Sequence, residues 1–181
     1  MIKKIFINLL ALIIISVIQI GFIKSLPDFW SSFNLVLVVL IFILEAKGLI
    51  ASLWWGLGVS VFYDLYFFYP YGFSAIVIEM TLLAAYALLV NFFTNRSLYS
   101  FLALVFFATI FSKFFSYFLA SILNLMNIQT VFLEKVDALF FKQGGQELIL
   151  NLMAIIILFY VMNFLGNTFK PVFLEDFRKR H

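Results

Sequence analysis

Long apolar runs, separated by short polar breaks, fill most of the chain. A helix needs about 20 apolar residues to cross roughly 30 Å of hydrocarbon. The second run is short, and one alternative is a re-entrant hairpin over 33–68, which would leave five complete crossings. The main prediction is an all-α, polytopic membrane bundle of about six transmembrane helices in one domain, 1–181, with helices at 5–23, 31–44, 49–68, 73–93, 98–123 and 148–165.

Composition supports a membrane environment and narrows the chemistry. Hydrophobic residues make up 65% of the chain, charged residues make up 12%, and the mean hydropathy is +1.13. Water does not tolerate the apolar surface that such a chain would expose, whereas lipid accepts it. The chain has no cysteine, and its one histidine is His181. We therefore predict no metal, no cofactor and no enzymatic activity.

Basic residues in the predicted loops indicate the orientation. If both termini are cytoplasmic, eight basic loop residues lie inside and three lie outside, as the positive-inside rule favours. The first apolar run is long and no small-x-small cleavage site follows it, so we predict a retained helix and no signal peptide. The inside set is Lys3, Lys4, Lys47, Arg96, Lys170, Arg178, Lys179 and Arg180, and the outside set is Lys24, Lys135 and Lys142.

The long loop at 124–145 lies outside in this topology. Its middle reads "TVFLEKVDALFFKQGG", with apolar residues at helical spacing and a stop at Gly144 and Gly145, which predicts an amphipathic interfacial helix at about 130–142. This helix is either a connector lying on lipid or a docking surface for an extracytoplasmic partner. Its apolar face would be Phe132, Val136, Leu139 and Phe140.

Three ionisable residues fall inside the predicted spans: Asp64, Glu79 and Lys113. A charge at the bilayer centre costs about 2.5 to 3.5 kcal/mol on insertion scales, so each residue should pair, protonate, snorkel or face the bundle. We predict a structural pair between Glu79 and Lys113, or a Lys113 shared by both carboxylates, that fixes the helix register. The alternative is a substrate or proton site formed by the same residues.

Small residues recur every four positions along the third predicted helix and lead to Asp64. Such a ladder lets a second backbone approach closely, which helps helices associate in lipid. A similar stripe follows the fifth helix, and we predict that it faces protein while the surrounding phenylalanines face lipid. The ladder is Gly48, Ser52, Gly56 and Ser60, and the stripe is Thr109, Ser112, Lys113, Ser116 and Ala120.

The stretch "FFYPYG" predicts the turn between the third and fourth helices. Pro70 prevents continuation of the helix, and Gly72 permits a turn conformation. Asp64 lies three residues before this stretch and eight residues before Gly72. Its carboxylate is predicted to fold back onto the N–H groups that begin the fourth helix, where the helix dipole favours negative charge.

The central unit "GLGVSVFYDLYFFYPYGFSAIVIEMTLLAAYAL" resembles the MreD family of rod-shape-determining membrane proteins. The likeness rests on a glycine-rich helix, Asp64, and Gly72 eight residues later, and one departure is Ser60 where family members often carry glycine. It implies a non-enzymatic subunit of the bacterial cell-elongation complex in the plasma membrane. The implied partners are an MreC-like protein and, through it or directly, MreB, RodA and a class B penicillin-binding protein, with membrane lipids around the chain and no nucleic acid.

The MreD fold is similar to that of the S components of energy-coupling-factor vitamin transporters, which supplies a rival function. An S component would use Asp64, Glu79 and Lys113, with Tyr69 and Trp54 or Trp55 nearby, as a vitamin site. Such proteins typically carry an Ala-xxx-Ala coupling seam on the first helix. Here Ala11 is followed four residues later by Ile15, so the seam is missing.

Overall fold

The part of the chain that the computed structural model describes, residues 2–92, 98–125 and 138–168, is almost entirely helical. The first helix changes to a π-helical turn at Ile18–Phe22 and to a 3-10 turn at Ile23–Ser25. The helices in chain order are α1 Ile2–Val17, α2 Asp28–Ser31, α3 Leu35–Lys47, α4 Leu49–Phe67, α5 Phe73–Phe92, α6 Leu98–Leu125 and α7 Ala138–Thr168.

Six helical segments within these ranges are long and apolar enough to cross a membrane. The predicted all-α bundle of six spans is therefore confirmed. The second segment, Asp28–Lys47, combines α2 and α3 and is interrupted at 32–34, so the short helix predicted at 31–44 instead begins at Leu35 and ends at Lys47. Because α3 has only 13 residues, it is roughly 20 Å long at about 1.5 Å per residue, well short of a full crossing.

The short helix α3 lies at the centre of the bundle. In its sequence "LVLVVLIFILEAK", the part from Leu35 to Leu44 is apolar on every side, which is typical of a buried helix, and only the last residues, Ala46 and Lys47, are exposed. It packs against α1, α4, α5, α6 and α7. Burial of this helix therefore holds the other spans together, and its fully or nearly fully buried apolar residues are Val36, Leu37, Val38, Leu40, Ile41, Ile43 and Leu44.

The outer surface of the bundle is apolar, as expected for contact with lipid. On α6 the buried residues Thr109 and Ala120 lie on the protein side, while Phe114 and Phe118 are 57% and 54% exposed. The predicted division of α6 into a protein-facing stripe and lipid-facing phenylalanines holds for these residues, whereas Phe115 is partly buried and packs against the cluster of Phe73, Val77 and Ala120. The first helix is largely exposed, and it meets α4 closely at one point, where a Cβ added to Gly58 would collide with Leu12.

The last span begins earlier than the sequence indicates. We predicted a helix from 148 and a separate interfacial helix ending near 142, but α7 is continuous from Ala138 and includes Gly144 and Gly145. Glycine weakens a helix by roughly 1 kcal/mol relative to alanine and does not by itself end one. Phe140, expected on the interfacial helix, belongs to α7, and its ring lies 6.3 Å from that of Tyr117 on α6.

Candidate functional site

The break between α2 and α3 is held by side chains from other helices. Asn34 caps α3, because its side-chain oxygen accepts the N–H of Leu37 at 3.1 Å. Gln19, only 1% exposed on the π-helical turn, accepts the N–H of Leu35 at 2.7 Å and donates to the carbonyl of Phe33 at 2.9 Å. Irregular backbone is tolerated inside a membrane protein when its polar groups are satisfied in this way.

Two antiparallel helices, α6 and α7, are joined by a polar ladder. Lys113 forms an ion pair with Glu147 at 2.9 Å, and the Asn151 amide donates to the Thr109 hydroxyl at 3.1 Å. Each helix contributes two residues four positions apart, so the two links lie one helical turn from each other. The ladder fixes the register of α6 against α7.

The ladder and the helix break form one network through Asn34. The Asn34 amide donates to Glu147 at 3.1 Å, and the Asn34 backbone N–H donates to Asn151 at 3.1 Å. Glu147 is therefore held by Lys113 and by Asn34 at once. The second, fifth and sixth spans are thus connected at the level where the second span is interrupted.

The prediction that Lys113 pairs with Glu79, or is shared by Glu79 and Asp64, is wrong. Lys113 pairs with Glu147 of α7 and with neither Glu79 nor Asp64. Sequence reasoning placed Glu147 in a loop, just before the expected start of the last helix, and so left it out of the intramembrane set. The available signal was the spacing of Glu147 and Asn151, which matches the spacing of Thr109 and Lys113.

Glu79 lies at the contact between α4 and α5, away from Lys113. Its Oε1 atom is buried and has no hydrogen-bond partner among the described residues. This oxygen lies 2.7 Å from the position that a Cβ on Gly56 would occupy. The glycine therefore provides the room that the Glu79 side chain takes between the two helices.

Asp64 closes the turn between α4 and α5. Its two carboxylate oxygens accept the N–H groups of Gly72 at 2.7 Å and Ser74 at 2.9 Å, and the carboxylate is 4% exposed. Gly72 has φ +91°, a conformation that glycine adopts without strain. The predicted fold-back of Asp64 onto the start of α5 is confirmed. Pro70 precedes α5, and its carbonyl accepts the N–H of Phe73 at 3.0 Å.

The small-residue ladder of α4 faces the interior of this chain. Ser52, Ser60 and Gly56 are buried, and Gly56 lies against Ile78, Glu79 and Leu82 of α5. Gly48 stands at the turn before α4 with φ +90°. The ladder is therefore a contact within the bundle.

A chamber of about 260 Å³ lies inside the bundle beside the break in the second span. Polar groups from α6 and α7 and aromatic groups from α4 and α5 line it, together with Gln19 and Asn34. A second cavity of about 450 Å³, here called the vestibule, adjoins it. The two share Lys24, Lys113 and Glu147.

The chamber contains only part of the residue set that the rival function predicts for a vitamin site. Of the expected set, Lys113 and Tyr69 line the chamber, whereas Asp64 is committed to its turn and Glu79 lies at the contact between α4 and α5. Trp54 is 70% exposed on the outer face of α4. The polar residues brought together beside the chamber are instead Gln19, Asn34, Thr109, Lys113, Glu147 and Asn151.

Some predicted residues lie outside the parts of the chain described here. These are Phe132 and Val136 of the expected docking face, the side chain of Leu139, and the basic residues Arg178, Lys179 and Arg180. Among the described residues, no group of three or more His, Cys, Asp or Glu side chains is placed to hold a metal ion.

Fold and site together define a class, a multi-pass all-α membrane protein with a polar network and a chamber inside the bundle. No family model, no curated protein and no solved structure matches the chain. Any narrower assignment therefore depends on the residues of this chain alone.

Proposed function

We propose that the protein is an MreD-like, non-enzymatic membrane subunit of the bacterial cell-elongation complex. The observation that carries this proposal is the hairpin made by Asp64, Gly72 and Ser74. The sequence unit that resembles the family is the unit that forms this hairpin, and both oxygens of its carboxylate are engaged by backbone N–H groups. The motif residues therefore have a structural role, closing the turn between α4 and α5, and this role requires no reaction on a substrate.

In this role the subunit organises side-wall peptidoglycan synthesis and cell shape through contact with other membrane proteins. The partners are an MreC-like protein and, through it or directly, MreB, RodA and a class B penicillin-binding protein. The location is the bacterial plasma membrane, with both termini in the cytoplasm. The exposed apolar faces of α1, α4 and α6 supply surface for contact with lipid and with the spanning helices of such partners.

Affinity purification of the tagged protein from its native membrane in mild detergent tests the proposal. Mass spectrometry should identify an MreC-like protein together with cell-wall synthases, enriched over a tagged multi-pass protein of similar hydropathy from the same membrane. Purification without any of these proteins would contradict the scaffold role. The Asp64→Ala variant is informative where it still inserts, because a misplaced α4–α5 hairpin should reduce recovery of the partners.

A second candidate, an S component of an energy-coupling-factor transporter, is favoured by the chamber alone. In that case ABC-type ATPases and a bound vitamin should be recovered in the same purification. The missing small-residue pair on the first helix speaks against it, because Ala11 is followed by Ile15 at the corresponding spacing. We therefore place this candidate second.

A further inference from the structure

We propose that the chamber and its vestibule form a binding site for a small, water-soluble organic anion with a planar ring. The site goes beyond the scaffold role and does not depend on it. Under the second candidate function, it supplies the chemical class of the ligand. The proposal rests on the access route, the charge and the aromatic wall of the two cavities.

The access route favours a solute that comes from water. The vestibule is lined by charged and amide side chains, among them Asp28, Lys142, Gln143 and Gln146. Lipid tails cannot form hydrogen bonds with such a surface, whereas a polar solute can replace its hydrogen bonds to water with hydrogen bonds to these side chains. The vestibule leads to the chamber through the residues that the two cavities share, which are Lys24, Lys113 and Glu147.

The charge of the lining favours an anion. Among the residues that the structure describes, the two cavities together are lined by three lysines, Lys24, Lys113 and Lys142, and by two carboxylates, Asp28 and Glu147, so this part of the lining has a formal excess of one positive charge. Each lysine ammonium carries three donors, so an anionic group in this region can add to the hydrogen bonds already present. The negative charge of Glu147 is balanced by its contacts with Lys113 and Asn34.

Another part of the chamber lining is aromatic. Tyr63, Phe67, Tyr69 and Phe73 line it, and their rings form a continuous series with centroids 5.8, 5.5 and 4.8 Å apart. Planar rings pack well against such a surface in offset or edge-on arrangements. A ligand that places a ring on these aromatic residues and an acidic group toward the lysines uses both parts of the lining.

The polar side chains beside the chamber are held in place without a ligand. Asn34 is fixed by hydrogen bonds with Leu37, Glu147 and Asn151, and Glu147 is fixed by Lys113. Groups held in this way lose little freedom when a ligand binds, and such preorganisation raises affinity. The small volume of the chamber, about 260 Å³, limits the part of the ligand that enters it to a molecule of roughly one or two rings.

Thermal unfolding of the full-length protein in detergent, with chosen probes, tests the site. The probes are benzoate and nicotinate, their uncharged amides benzamide and nicotinamide, and inorganic phosphate, each at about 1 mM, with native mass spectrometry of co-purified small molecules as a second readout. We expect an acid probe, or a co-purified organic acid, to raise Tm by about 3 °C or more, and the amides and phosphate to do markedly less.

Variants of α6 supply the matched controls. Ser112→Phe fills the chamber, and the smaller Ser116→Leu obstructs it less. Ser121→Phe makes the same change as Ser112→Phe at a partly exposed position of the same helix that does not line the chamber. Binding should be lost in either chamber variant that folds and kept in Ser121→Phe.

Three outcomes would overturn the proposal. The first is that no probe and no co-purified anion binds, and the second is that binding survives Ser112→Phe or Ser116→Leu in folded protein. The third is that the amides or phosphate bind as well as the acids. Because these readouts do not involve partner proteins, they can fail while the purification test succeeds, and the reverse also holds.

Discussion

Lys113 and Glu147 form an ion pair of 2.9 Å in which the two side chains differ in exposure, 34% for the lysine and 7% for the glutamate. The lysine can therefore reach water in the cavities, whereas the glutamate depends on protein partners for its charge. Loss of the lysine leaves a buried carboxylate with Asn34 as its remaining partner in the network. The same pair thus stabilises the contact between α6 and α7 and forms part of the chamber lining.

Exchange of the two charges tests this pair. Lys113→Gln and Glu147→Gln should each lower the free energy of unfolding by about 1 to 3 kcal/mol, less than for a fully buried pair because the lysine is partly exposed. The double variant Lys113→Glu/Glu147→Lys should recover part of the loss, measured by thermal unfolding in detergent. The exchange Glu79→Lys/Lys113→Glu should recover none, and recovery there would contradict the observed pairing.

Glu79→Gln should behave in the opposite way to Glu147→Gln. The Oε1 atom of Glu79 has no hydrogen-bond partner among the described residues, so removal of the charge costs no contact and reduces the penalty of placing a carboxylate in the membrane. We expect no loss of stability, or a gain of up to about 2 kcal/mol. Side-by-side unfolding of both variants measures the difference, and a comparable loss in the two would mean that Glu79 has an essential partner.

Asp64→Ala should destabilise the hairpin strongly. The change leaves the N–H groups of Gly72 and Ser74 without their acceptor, at a cost of about 1 to 3 kcal/mol for each buried group. Asp64→Asn retains one acceptor oxygen and should cost less, about 1 to 2 kcal/mol. Tm and the yield of folded protein report both effects. The exposed Asp28→Asn is the control for loss of one negative charge, and equal losses at positions 28 and 64 would refute the hairpin role.

Gly72→Ala should destabilise the protein while Gly145→Ala does not. No atom lies within 4 Å of a Cβ added at either position, so the two substitutions differ only in backbone conformation. Gly72 has φ +91°, where alanine is strained by about 1 to 2 kcal/mol, and Gly145 is within a helix, where alanine gains roughly 0.5 to 1 kcal/mol. Thermal unfolding of the two single variants gives the comparison. A stabilising Gly72→Ala would mean that the turn adopts another conformation.

Gln19→Leu should weaken the contact between the first helix and the break in the second span. The substitution removes the acceptor of the Leu35 N–H and the donor to the Phe33 carbonyl, and we expect a loss of about 2 to 4 kcal/mol. The half-buried Gln143 at the vestibule provides the control Gln143→Leu, which should change stability by less than about 1 kcal/mol. Limited proteolysis near 25–35 should also accelerate in the Gln19 variant alone.

Local relationships in this protein can be predicted from the sequence. Asp64 and its two partners are 8 and 10 residues apart, and the proline and glycine of the turn restrict how the intervening chain can fold. The six spans follow from apolar length, because a membrane segment must satisfy its own backbone hydrogen bonds as a helix. The protein-facing side of α6 follows from its stripe of small and polar residues.

Tertiary structure alone decides the polar network and the chamber. Asn34 and Asn151 are 117 residues apart, and Asn151 and Thr109 are 42 apart, so their contact depends on which helices are neighbours and how each is rotated. The composition of a span does not determine either quantity, because several packing arrangements bury the same residues. Apolar length and turn chemistry thus determined the spans and the hairpin, and helix packing decided that Lys113 meets Glu147 beside a cavity.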